Sequence, residues 1–283
     1  MAAYTTIDDP SLYFTTKLYT STYSSGSGSG ATINVALDAT NDFAVDLVWI
    51  KCRSVGDNPV IADRVRGVNK NLHSNNNDAE ATNTDEVTAF GDDGFTVGNN
   101  DTVNRDGASS TYVAWCWKAN GSGSSNTNGT INTTSTSANT TAGFSINTYV
   151  GNATSNQTIG HGLGAVPHMI ISKNRDNTST HYNDWMIYHH SNATANDKKL
   201  KLNTTDAAST TNEWGDTDPT STVYSLHTSG DGATNDGTDK IVSYVWTGIQ
   251  GYSKFGSYVG NGNANSTFVY LGFRPAWVMF KRS

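Results

Sequence analysis

The apolar residues of this chain are gathered into short runs between long polar stretches. Three runs, "LVWIK" (47–51), "MIISK" (169–173) and "WVMFK" (277–281), are rich in β-branched and aromatic side chains. They are too short for helices and predict strands buried on both faces. Elsewhere the pattern alternates: in "YVAWCW", Val113, Trp115 and Trp117 share one face while Tyr112, Ala114 and Cys116 take the other. Turn sequences tolerant of positive φ, "NRDG" at 104–107 and "NDG" at 235–237, stand upstream of such strands. No segment carries a sustained helical period, and a single helical turn is expected at 78–82.

The pattern also repeats. Residues 143–175 and 251–283 share a Gly-aromatic-Ser start, a "YVGN" block, a Gly three residues before a Pro, and an apolar run ending in Lys. Pro167 precedes Lys173 as Pro275 precedes Lys281. A weaker copy lies at the front, where "KLYTSTYSS", a Gly/Ser-rich loop and "FAVDLVWIKCR" follow one another. Downstream, "STYVAWCWKA" (110–119) matches "KIVSYVWTGI" (240–249), setting Trp117 against Trp246, and "DAEATN" (78–83) resembles "DAASTTN" (206–212). Such self-similarity defines the organisation before anything else does. It divides the chain into an N-terminal segment (1–11), a first repeat (12–119), a linker (120–142), a second repeat (143–250) and the start of a third (251–283). Units of roughly 105 residues made of short strands predict an all-β chain of tandem antiparallel β-sandwiches, jelly-roll or lectin-like. The linker has no aromatic residue and only Ile131 as a large aliphatic, which predicts a flexible joint. Read against 163–175, "GFRPAWVMFKRS" is the opening strand of the third unit, and the expectation is that it belongs to a longer fibre-like protein.

Composition narrows the function. Charged residues make up 15% and there are 27 glycines, with Asn, Thr and Ser abundant, which suits strands and turns rather than a helical enzyme. A net charge of −7 argues against nucleic acid as a partner. The one dense cationic cluster, Lys198, Lys199 and Lys201, is expected to be a solvated strand end. The N-terminus lacks the basic and apolar regions of a secretory signal, and no run approaches the length needed for membrane insertion. A surface of extracellular character without an export signal fits a protein assembled inside a cell and released by lysis.

Candidate chemistry is sparse, and neither a catalytic motif nor a cofactor fingerprint is present. Cys52 and Cys116 form no CxxC pair and align with Asn174 and Val245 of the second repeat, so the fold does not need a bond between them. His189 and His190 are adjacent and would point to opposite faces of a strand; with His161, His168 and His181 they are a weak metal candidate. "GDGATNDGTD" (230–239) resembles a calcium loop but lacks a donor at Ala233 and a trailing Glu, so Asp231, Asn235 and Asp236 are expected to form turns. Asp92 and Asp93 have the same reading. The Asn-x-Ser/Thr triplets at Asn128, Asn132 and Asn152 follow from composition. Trp214, in "NEWGDTDP", is the candidate ligand-binding residue, an aromatic among polar loop residues that could stack on a sugar ring or fold over the sandwich end.

The phrases "MAAYTTIDDPSLYF", "DLVWIKCRS", "RGVNK", "DAEATN", "GFTVG", "TIGHGLGAVPHMIISKNR" and "GYSKFGSYVGNG" together resemble the repeated domains of tail-fibre-like virion proteins of marine phages. The resemblance covers nearly the whole chain except the linker. It implies a non-catalytic virion subunit of a tail fibre or other appendage, homotrimeric, in contact with other virion proteins and active in host attachment. A lectin-like module for host-surface glycan is the alternative, and a polysaccharide depolymerase, which would need facing carboxylates, ranks last.

Overall fold

A computed structural model of the chain describes residues 5–22, 32–37, 43–107, 109–176, 183–192, 194–228, 233–265 and 267–283. The first repeat contains β1 (Phe14–Thr20), β2 (Ile33–Ala36), β3 (Leu47–Cys52), β4 (Val60–Asp63), β5 (Lys70–Asn71), β6 (Ala81–Thr82), β7 (Val87–Phe90), β8 (Gly94–Val97) and β9 (Thr111–Trp117). The second contains β11 (Phe144–Val150), β12 (Gln157–Gly160), β13 (Met169–Asn174), β14 (Met186–His189), β15 (Lys198–Lys201), β16 (Ser209–Thr210), β17 (Val223–Leu226) and β18 (Lys240–Trp246), with β10 (Ser135–Asn139) between the repeats. The fold is all-β with antiparallel sheets, and α1 (Asp101–Asn104) is the one α-helix among the described residues.

The repeat seen in sequence is a repeat of pairing. The larger sheet of the first half has the order β1-β9-β3-β4, and that of the second contains β11-β18-β13-β14 in the same sense. Trp117 pairs with Phe14 and Leu47, and Trp246 with Phe144 and Met169. The smaller sheets agree as well: Ile33 pairs with Val97 and Ala36 with Gly94, as Gln157 pairs with Leu226 and Gly160 with Val223. The alignment of Cys52 with Asn174 and of Cys116 with Val245 follows from this register. Both cysteines are free and buried.

Period-two alternation then stacks the sheets in layers. In β3 and β9, Val48, Ile50, Cys52, Tyr112, Ala114 and Cys116 face the small sheet and share a core with Val35, Phe95 and Val97. In the second half Tyr149, Ile170, Tyr188, Ile241 and Val245 do the same with Ile159, Tyr224 and Leu226. The opposite faces of the two large sheets meet each other. Leu47, Ile61 and Trp117 from the first repeat and Phe144, Met169, Ile171, Val242, Tyr244 and Trp246 from the second form one central core. Trp117 lies 6.4 Å from Trp246 and 4.9 Å from Phe14, ring centre to ring centre.

Several expectations need correction. Residues 120–142 are not a flexible linker: β10 is an edge strand on β11, Ser124 bridges Thr136, and Ile131 enters the second core beside Ile159. Backbone pairing supplied what the apolar content could not. The helical turn expected at 78–82 is absent, since 81–82 is strand β6; the helix forms at α1, where Asn100 caps the Thr102 amide. The lysine cluster is not a solvated end but strand β15, with Lys199 buried and Lys201 paired to Asp184 at 2.7 Å. Among the described residues of 251–283 there is no strand: Trp277 and Met279 are half-buried, and Val278 and Phe280 are exposed.

Candidate functional site

The turn after β14 and the loop before β17 stand side by side on the second repeat and border a shallow, open groove of mixed polar and apolar lining. The turn, described at 190–192 and 194–197, passes through Thr194, and the loop, 211–222, through Gly215 and Asp216, all at positive φ. Thr194 (φ 50°) and Asp216 (φ 47°) hold a conformation that costs a side-chain-bearing residue free energy, and such positions cluster at ligand sites. Two adjoining hollows result, of about 570 and 500 Å³, with Thr194 and Asn196 on the ridge they share. Tyr188, His190, Asn192 and Asp218 line the first; Asp197, Asn212 and Asp216 line the second.

Hydrogen bonds fix the frame. The Thr194 hydroxyl donates to Asp197 at 2.7 Å, and the Thr211 amide donates to the Asp197 carbonyl, tying turn to loop. Burial pushes the Tyr188 hydroxyl up to about 12, and Asp218 adds to the shift, so Tyr188 stays a donor. The Asn192 side-chain nitrogen, Nδ2, is buried without a hydrogen-bond partner, while its backbone amide donates to the His189 carbonyl. Three carboxylates, amides and hydroxyls with no lysine or arginine among the lining residues suit a neutral, hydroxyl-rich ligand rather than an anion.

Trp214 is not on that surface. It is 1% exposed, in the core under the loop, with its ring 5.9 Å from Tyr188. Stacking on a sugar is therefore corrected to a supporting role beneath the groove. Its place follows from the repeat: the His227 amide donates to the Glu213 carbonyl as the Gly98 amide donates to Glu86, so Trp214 occupies the position of buried Val87.

The histidines are partly brought together. His168 and His190 lie 4.4 Å apart and His189 lies 5.4 Å from His190, beside Phe255. His168 Nδ1 accepts from the Gly248 amide at 2.9 Å, and burial, with His190, lowers its proton affinity. His161 is elsewhere, bonded to the Thr220 carbonyl, and burial lowers it to about 4. His181 and Asp231 lie outside the described residues. Among the described residues no three His, Cys, Asp or Glu side chains gather to hold a metal, and no helix is long and apolar enough to cross a membrane. Asn235 is buried and accepts from the Asn152 amide, and Asp236 accepts from the Asp239 amide, both as turn formers. Asp92 and Asp93 sit in the turn joining β7 to β8, closed by the Gly91 amide donating to Gly94.

Sequence reasoning missed the groove residues and a buried charge cluster between the repeats. Asp63 accepts from the Arg66 guanidinium and from the Tyr244 hydroxyl at 2.7 Å, while Glu80 joins Arg66 at 2.9 Å and Arg175 at 2.8 Å. The groove was detectable as a difference between the copies, 190–197 against 64–69.

A family model described as a domain of unknown function, DUF7483, matches residues 9–283. The chain belongs to the DUF7483 family. The match runs through both repeats and the C-terminal segment, so the DUF7483 unit includes 251–283 and not only the two complete sheets. No curated protein and no solved structure matches the chain.

Proposed function

We propose that the chain is a non-catalytic structural subunit of a phage virion appendage, such as a tail fibre, that serves host attachment. The finer architecture belongs to the same reading: tandem jelly-roll or lectin-like sandwiches, three copies of the chain to an assembly, sited on the virion. The observation that carries it is the use of one sheet face twice. Two copies of one all-β fold share a single core, and the opening of a third copy of the motif packs against it through Trp277 and Met279, so the chain is built from repeats as the virion proteins it resembles are. Mass spectrometry of purified particles, with light scattering of the isolated chain, tests this. The expected result is the protein in the particles and a trimeric mass; a stable monomer missing from particles overturns it.

The groove favours a second reading, recognition of host-surface glycan. Amides and carboxylates around two adjoining hollows match the hydroxyls of neighbouring sugar rings. Glycan-array binding is expected to fall at least tenfold in Asn196→Ala with Asp218→Ala. Undiminished binding removes the groove as the site.

A further inference from the structure

Three imidazoles meet where the second repeat joins the C-terminal segment. His168 precedes β13, His189 ends β14 and His190 follows it, and the His190 amide donates to the His168 carbonyl at 2.9 Å. The His168 and His190 rings stand edge to face with centres 4.4 Å apart, and His189 lies 5.4 Å from His190. Phe255 packs on them. Its ring stacks on His168 at 5.9 Å and lies 6.4 Å from His189, and its carbonyl faces His190 Nε2 at 3.4 Å.

A short turn holds Phe255 in place. Beyond β18 the chain passes through Thr247 and Gly248 to Ile249, whose amide donates to the Ser253 carbonyl while the Ser253 amide donates back. The Ser253 hydroxyl also accepts from the Ile249 amide at 3.0 Å and donates to the Thr247 carbonyl.

Two of the imidazoles serve this joint as acceptors. His168 Nδ1 accepts from the Gly248 amide at 2.9 Å, and His189 Nδ1 from the Ser191 amide at 3.2 Å. An imidazole accepts only through an unprotonated nitrogen, whereas an imidazolium has donors at both positions. The Thr247 hydroxyl, 3.1 Å from His168 Nδ1, gives its own proton to the Val166 carbonyl, so it does not compete with Gly248 as a donor. The joint as folded therefore needs both rings neutral.

Their surroundings keep them so. Burial and then His190 lower the proton affinity of His168; burial, His190 and His168 lower His189 to about 4. The charged side chains on the neighbouring elements are Asp197, Asp216 and Asp218 of the groove and Lys254 beside Phe255. Asp197 accepts from Thr194, Asp218 acts on Tyr188 and Lys254 donates to the Tyr270 carbonyl, and none of the four is among the causes at His168 or His189.

We infer that this joint is an acid-operated latch: as His168 and His189 take up protons, 247–256 lets go of the second repeat while the repeats themselves stay folded. Each Nδ1 then carries a hydrogen where an amide hydrogen already points, and positive rings stand side by side under Phe255. Release uncovers Phe255 and the imidazoles, and Trp277 and Met279, packed against the central core, keep the rest of the segment tethered. Both rings have lower proton affinity in the closed joint than free imidazole has. The latch is therefore fully closed above about pH 6.5 and loosens as pH falls from there towards 4.

Amide exchange of the full chain between pH 7 and pH 5, expressed as protection relative to the unstructured rate, tests the latch. Protection at Gly248, Ile249 and Ser253 is expected to fall about tenfold or more while that of β11, β13 and β18 holds. The loss is expected to shrink in His168→Gln, whose side-chain carbonyl accepts without titrating, and in His190→Gln, at an exposed position that the fold tolerates. His161→Gln, at a ring bonded to Thr220 away from the joint, is expected to leave the loss unchanged. Protection kept down to pH 5, an equal loss in His168→Gln and His190→Gln, or a loss shared by β11, β13 and β18 overturns the latch. It stands apart from the appendage and glycan readings, which are scored on particles and on arrays.

Discussion

At the scale of residues, Asp63, Arg66 and Glu80 of the first repeat meet Tyr244 and Arg175 of the second in a polar cluster between the repeats. The Arg66 side chain is fully buried, and burial works against its charge, but Asp63, Tyr244 and Glu80 outweigh that and hold the guanidinium protonated. Glu80 is likewise penalised by burial, yet hydrogen bonds from Arg175 and Arg66 bring its carboxyl below the ordinary range. Removing one partner of such a cluster leaves the other charge buried and unpaired, which costs about 3–5 kcal/mol. Arg66→Met is therefore expected to lower the urea midpoint strongly, while Tyr244→Phe, which removes one hydroxyl, costs less, about 1–3 kcal/mol. Equal losses in the two variants would contradict the cluster as described. The imidazoles give a pH dependence. Burial lowers His161 and His189 to about 4, with His190 and His168 adding to the effect at His189. The folded chain then binds fewer protons than the unfolded chain between that value and about 6.5, so stability falls as pH falls through this window. Melting temperatures measured from pH 7 to 4 are expected to decline below pH 6.5, and His161→Gln to flatten the decline; a curve unchanged by the substitution would place the acid sensitivity elsewhere.

At the scale of elements, what could be read from sequence depended on whether a strand's partner was also present. β3 and β13 were legible as buried strands because their apolar runs have both faces covered and a central strand to pair with. "WVMFK" carries the same signal and forms no strand, since periodicity reports which faces favour burial and not whether a ladder exists. The reverse holds for β10: "STSAN" is polar, but β11 offers it an edge, and the Ser137 hydroxyl takes the Asn120 amide at 2.7 Å. Trp214 misled for a related reason, because an aromatic in a polar loop looks exposed until its repeat counterpart, Val87, is identified. The half-docked C-terminal segment makes a sharp contrast available. Trp277→Ala loses contacts with Phe14, Trp115 and Trp117 and is expected to cost about 2 kcal/mol, given roughly 0.5–1.5 kcal/mol per aromatic pair beyond area burial. Val278→Lys, one residue along and exposed, is expected to stay within about 0.5 kcal/mol of the parent. Denaturant titrations of both variants check this, and a costly Val278→Lys would mean that the outer face is already covered.

At the scale of the molecule, the central core decides whether the repeats are two bodies or one. Each large sheet has its small sheet on one side only, and its other face is buried by the opposite repeat. A separated second repeat would put Met169, Ile171, Ile187, Val242, Tyr244 and Trp246 into water, at about 1.5–3 kcal/mol for each large apolar side chain fully exposed. The repeats should for that reason unfold together. Their strands also close over long stretches of chain, Phe14 pairing with Trp117 and Phe144 with Trp246, so neither sheet is complete until its last strand arrives. Urea unfolding followed by far-ultraviolet circular dichroism and by tryptophan fluorescence is expected to give one coincident transition. Trp117→Ala, which removes the ring that touches Phe14, Phe144, Trp246 and Trp277, should shift that whole transition by about 3–5 kcal/mol rather than split it. Two separable transitions, with the substitution moving only one, would show that the sheets meet without depending on each other, and the shared core would then be a contact surface between independent domains.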